Sequence, residues 1–95
     1  MSAYMVAQVT VTDPEQYKKY AAQASVATAK FGGRYIARGG ESLALENVEE
    51  GKRFVIVEFP DLNSAQAWYN SPEYEEAKNL RAGAATGQFF AVSGC

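Results

Sequence analysis

Glu58 stands in the most apolar strand-like run of the chain, Arg53 to Phe59. A carboxylate stripped of water titrates above its ordinary range and can move a proton, which would make Glu58 a candidate catalytic group. Paired with a guanidinium such as Arg34 or Arg81, it would instead stay ionised in a structural ion pair. A second cluster is Trp68-Tyr69 with Ser71-Pro72-Glu73-Tyr74 and Arg81. Aromatic walls beside one tyrosine hydroxyl and one arginine suit a small planar, anionic ligand, with Tyr74 at the chemistry and Trp68, Ser71 and Arg81 holding the ligand. The same residues also read as an aromatic core whose hydroxyls meet backbone groups. A third cluster joins Gly32-Gly33-Arg34-Tyr35 to Arg38-Gly39-Gly40. Guanidinium groups grip oxyanions through a two-pronged fork, so these arginines could hold a small carboxylate or phosphate. The plainer reading is a helix end, exposed arginines and a bulge. The spacing of a phosphate loop is absent.

Composition narrows the chemistry. The sequence has no histidine. That excludes a histidine general base, a Ser-His-Asp triad, the usual histidine-bearing zinc and non-haem iron sites, and a haem held by a proximal histidine. No metal site or cofactor is expected from these residues. Nine basic and eleven acidic residues are spread along the chain for a net charge of −2, without the basic stripe of a nucleic-acid binder. No run approaches a membrane span, and no signal-peptide pattern precedes the first apolar segment. The single cysteine, Cys95, leaves no intrachain disulfide to form, which fits a cytoplasmic setting.

The elements that must position these groups follow from period and punctuation. Tyr4 to Val11 reads as a strand. Asp13-Pro14 caps and opens a helix, with Gln16 placed for a capping-box return bond. Tyr17, Tyr20, Ala21, Ala24 and Phe31 mark its inner face, and Gly32-Gly33 ends it. Arg34 to Arg38 is a short strand, with Glu41 to Glu46 as a candidate edge extension. Asn47 to Lys52 is a polar turn, Arg53 to Phe59 a strand stopped by Pro60. Asp61 or Asn63 caps a second helix that restarts at Ser71-Pro72. Gly83 to Gly87 is a connection and Gln88 to Val92 the last strand.

Strand, helix, strand, strand, helix, strand is the split βαβ order of a ferredoxin-like α+β domain with a four-stranded antiparallel sheet, one domain over residues 1–95. Two helices cover only one face of such a sheet, yet the strands are apolar on both sides. Phe54 and Ile56 oppose Val55, Val57 and Phe59; Phe90 and Val92 oppose Phe89 and Ala91; Tyr4 and Val6 oppose Met5, Ala7 and Val9. An uncovered apolar face predicts a homodimer, sheet against sheet.

Taken together, Asp13-Pro14 with Tyr17 and Tyr20, Gly32-Gly33-Arg34-Tyr35, Arg38-Gly39-Gly40, Glu58-Phe59-Pro60 and Trp68-Tyr69-x-Ser71-Pro72-Glu73-Tyr74 resemble the domain of unknown function 1330 family over essentially the whole chain. The resemblance implies a ferredoxin-like subunit of the dimeric α/β-barrel superfamily, which hosts cofactor-free quinone-forming monooxygenases, muconolactone isomerases and haem-dependent enzymes. The missing histidine sets the haem branch apart. The expectation is therefore a small cytoplasmic homodimer acting as a cofactor-free oxygenase or isomerase on an aromatic or enolisable metabolite. A non-catalytic holder of a small anion, or a stress-related protein, is the second reading, and a purely structural dimer the third. The implied site lies between helices and sheet on Arg34, Glu58, Trp68, Ser71, Tyr74 and Arg81. Neither nucleic acid nor membrane is an expected partner.

Overall fold

The computed structural model describes residues 1–95. The order is β1 (Ala3–Val11), α1 (Pro14–Lys30), β2 (Arg34–Arg38), β3 (Arg53–Phe59), α2 (Leu62–Tyr69), α3 (Pro72–Arg81) and β4 (Ala85–Ser93). The strands form one antiparallel sheet in the order β2-β3-β1-β4. This is the ferredoxin-like α+β arrangement that the strand and helix order predicts.

Local chemistry explains most of the boundaries. Asp13 caps α1 by accepting the Gln16 N–H at 3.2 Å. The predicted capping box is not closed, however, because the Gln16 amide reaches across to the Leu80 carbonyl at 3.0 Å and the Asp13 N–H goes to Ala84. Tertiary partners have replaced a local one. At the other end Gly33 N–H returns to Thr28 and Gly32 N–H to Ala29, with Gly32 at φ 76°. That is a Schellman stop, which needs a residue without Cβ at its left-handed position. Asp61, rather than Asn63, caps α2 through the Ser64 N–H at 2.7 Å.

Two expectations are corrected. Glu41 to Glu46 adds no strand; residues 39–52 form a connection without regular structure in which Leu43 and Leu45 stay largely exposed. β4 starts at Ala85, ahead of the predicted Gln88, because Val11 and Thr10 of β1 pair with Ala85 and Thr86 and carry the ladder through Gly87.

The register sorts every strand side chain. Met5, Ala7 and Val9 face the helices beside Val57 and Phe59, and pack on Tyr17, Tyr20, Ala24, Ala65, Trp68, Tyr74 and Ala77 to make the core. The other face carries Tyr4 opposite Glu58 and Val92, and Val6 opposite Ile56 and Phe90. No helix covers it, and Phe90 and Val92 remain 59% and 51% exposed.

Candidate functional site

Between α1, α2 and the sheet lies a narrow slot of about 30 Å³, walled by Tyr17, Tyr20, Tyr35, Trp68 and Phe89, with Arg38 and Arg53 at one end. Tyr17 and Tyr20 come from the inner face of α1, one helical turn apart. Trp68 closes α2. Its ring centroid is 4.2 Å from that of Tyr74 and 5.3 Å from that of Phe59, and the residue is 3% exposed.

Next to the slot runs a chain of polar groups. The Tyr20 and Tyr74 hydroxyls are 2.8 Å apart, and Arg81 Nη1 donates to the Tyr74 oxygen at 3.1 Å. The Arg81 guanidinium also lies 4.4 Å from the Phe89 ring centroid and 5.3 Å from that of Tyr20, both slot residues. Burial pushes both phenols above their ordinary range; the proximity of Tyr74 adds to the effect on Tyr20. Each therefore stays protonated, as donor or acceptor.

Ser71 holds this geometry. Its buried hydroxyl donates to the Trp68 carbonyl at 2.7 Å and accepts the Tyr74 N–H at 3.1 Å. One side chain thus ends α2 and caps α3, fixing Trp68 and Tyr74 to each other.

Arg34 and Glu58 lie elsewhere. They face each other across β2 and β3 on the open side of the sheet, with Arg34 Nη2 2.6 Å and Nε 3.2 Å from Glu58 Oε1. Tyr4 donates to the second carboxylate oxygen at 3.4 Å. The bond from Arg34, followed by one from Ser2, holds Glu58 below the usual carboxylate range. Of the two readings of Glu58, this geometry is the ion pair. The sheet separates Arg34 and Glu58 from Trp68, Ser71, Tyr74 and Arg81, which it does bring together.

Sequence reasoning did not single out Tyr20 or Arg53 as site residues. Tyr20 reads only as helix packing. Arg53 carried a usable signal, since it shares the strand parity of Val55 and Val57 and so leaves the sheet on the helical side. The acidic partners in the chain belong to Lys18, Lys30, Arg34, Lys52 and Lys78. Arg38, Arg53 and Arg81, the three arginines beside or near the slot, have none. No three His, Cys, Asp or Glu side chains come together as a metal site, and no helix is long and apolar enough to cross a membrane.

A ferredoxin-like sheet with an aromatic slot beneath its helices defines the class. The chain belongs to the DUF1330 family, a domain of unknown function whose sequence model matches residues 2–95. No curated protein matches it in sequence. Among solved structures it is similar to a protein of unknown function from Rhodopseudomonas palustris (20% identity, TM-score 0.75, covering 99% of this chain and 82% of that one). It is similar as well to SnoaB, a cofactor-independent oxygenase from Streptomyces nogalater (14% identity, TM-score 0.71, 99% and 93% covered). A dimeric ferredoxin-like protein of unknown function from Jannaschia sp. CCS1 shares the fold too (10% identity, TM-score 0.72, 99% and 100% covered). At these identities the likeness is one of fold.

Proposed function

We propose that this chain is a homodimeric, cytoplasmic protein that takes a small planar metabolite into the slot and acts on it as a cofactor-free oxygenase or isomerase. The observation that carries this reading is the Tyr20–Tyr74–Arg81 chain beside an aromatic-walled cavity. A phenol or enol oxygen in the slot would meet the Tyr20 hydroxyl, which Tyr74 and Arg81 back through the hydrogen-bonded chain. Such donors favour its anionic form and stabilise charge that develops there. The fold shared with a cofactor-independent oxygenase is consistent with that chemistry without assigning it. Glu58 is assigned here to the open sheet face and the subunit contact, not to proton transfer in the slot. The apolar row on that face, and the dimeric protein of the same fold, support pairing with a second copy.

Binding without conversion has one observation in its favour. No carboxylate lines the slot, so a substrate that does not ionise readily finds no general base there. The two readings part in a single experiment. Incubate the protein in air with a panel of enolisable aromatic compounds, following oxygen uptake and product mass. Turnover that falls at least ~100-fold in Tyr74→Phe supports the enzyme, in line with the usual weight of a positioned donor. Saturable binding with no product supports the binding protein.

A further inference from the structure

Arg38 ends β2 opposite Val55, and Arg53 opens β3 on the parity of Val55, so both side chains leave the sheet on its helical side at the same end of the slot. α1 lies over them. Arg38 donates to Ser25 Oγ at 2.7 Å and to the Ala21 carbonyl at 3.4 Å, and sits 4.1 Å from the centroid of the Tyr35 ring. Arg53 sits 5.5 Å from the centroid of the Tyr17 ring, and its buried Nε has no acceptor. Gly39, at φ 69°, passes over that guanidinium so closely that a Cβ there would overlap it.

The slot holds a second orphan. The Trp68 indole N–H is buried without a partner. Both unpaired polar groups lining the slot are therefore donors, and neither arginine at its end is neutralised. Buried donors are nearly always satisfied, so the Arg53 Nε and the Trp68 N–H each call for an acceptor, while Arg38, whose side chain is exposed, adds positive charge at the mouth. What the slot lacks is an acceptor with negative charge.

Space exists on both sides of it. An outer groove of about 490 Å³ at Gly39 and Gly40 shares Tyr17 and Arg53 with the slot. A groove of about 370 Å³ beside α2 and β4 shares Met5, Trp68 and Phe89 and is almost wholly apolar. The slot itself holds no more than a water molecule or two, so anything larger would have to turn its aromatic walls aside.

We propose that the ligand is a small carboxylic acid, its carboxylate held by Arg38 and Arg53 beneath Gly39 and its apolar body directed at Trp68 and Phe89. This rests on the slot being the ligand site and names the class of molecule it takes. Two guanidinium groups rooted on adjacent strands present forked donors that match a carboxylate and not a neutral amide.

The test uses benzoate and its neutral counterpart benzamide, titrated into isotope-labelled protein while the Trp68 indole N–H resonance is followed. Benzoate is expected to shift that resonance and to bind at least ~10-fold more tightly than benzamide, the effect of one charge-assisted pairing. Arg53→Met is expected to bring the two probes to near parity, and Gly39→Ala to weaken benzoate alone by displacing the guanidinium. Should Arg53→Met fail to fold, Arg38→Met carries the same comparison beside the wild-type preference. Equal affinities for the two probes, both moving Trp68, would overturn the acid class and leave the slot as a ligand site. If neither probe moves Trp68, the slot reading itself falls and the proposal with it. A preference for benzoate that survives both arginine substitutions would overturn the anchor.

Discussion

The hydroxyl oxygens of Tyr20 and Tyr74 stand 2.8 Å apart within the helical layer, joining α1 to α3 across 54 positions of sequence. Burial holds both phenols protonated above the ordinary value of 10.0. The sign of the consequence follows from proton counting. Between the unfolded and folded pKa values the folded chain binds the proton and the unfolded chain does not, so stability must fall as pH rises there. It should be fully present below about pH 10 and lost progressively above it. Urea unfolding from neutral to alkaline pH is expected to show this loss, and Tyr20→Phe to flatten it. An alkaline limb equally steep in the variant would remove the pair as its source.

Ser71 is the next point of leverage, because a single hydroxyl serves the end of α2 and the start of α3. Ser71→Ala removes the cap of α3 and leaves the buried Tyr74 N–H without its acceptor, while the Trp68 carbonyl keeps the Ser71 backbone N–H. A loss of about 1–3 kcal/mol is expected, the range for a lost cap and for unsatisfied buried groups. Denaturant unfolding gives the number, and Trp68 fluorescence reports whether the indole has moved. A variant as stable as the parent would show that the helix break is held by Pro72 and packing alone.

The fold was legible because its signals are local and agree. Asp13-Pro14, Gly32-Gly33 and Ser71-Pro72 act through their own backbone neighbours, so their effect can be read from adjacent residues. Strand parity placed Met5, Val57 and Phe59 on one face and Val6, Ile56 and Phe90 on the other, before any pairing was known. The site was legible in pieces. Trp68, Ser71, Tyr74 and Arg81 lie within fourteen positions on one broken helix, and helical spacing alone brings them near one another. Placing Glu58 and Arg34 with them runs against strand parity, which sets Glu58 beside Phe54 and Ile56. Which face the helices cover is a tertiary fact, and it decides which side of the sheet a residue serves. Tyr20 and Arg53 join the site only because α1 lies over the strands, which no local signal encodes. The Gln16 side chain shows the same limit, since its local partner lost to a carbonyl 64 residues away.

Glu58 offers a test of that separation. Its carboxylate is held below the ordinary value of 4.5 by Arg34 first and Ser2 next, so the pairing stabilises the fold above that pH. The contribution is lost as pH falls through the folded value, where the carboxylate takes up its proton. Glu58→Gln is therefore expected to be less stable than the parent at neutral pH and to converge with it on acidification. Binding in the slot should not change, because the sheet lies between. Parallel stability curves, or weakened benzoate binding with the fold intact, would place Glu58 in a different role.

The open face makes the broadest prediction. Phe90, Val6 and Ile56 form an apolar row across β4, β1 and β3, paired in register and uncovered by any helix. Phe90 is 59% exposed, so replacing it costs the isolated subunit little packing. An aspartate there would oppose the apolar face of a second copy across the two-fold, burying an unpaired charge within the contact. Phe90→Asp is expected to weaken dimerisation by at least ~2 kcal/mol, about 30-fold in Kd, the scale of a large aromatic buried in an interface. Sedimentation velocity should then return a folded monomer over concentrations where the parent sediments as a dimer. Circular dichroism must show an unchanged fold for the result to count against the interface rather than the subunit. A parent that sediments as a monomer, or a variant that keeps the dimer mass, would move the subunit contact off this face and leave its apolar row without a partner.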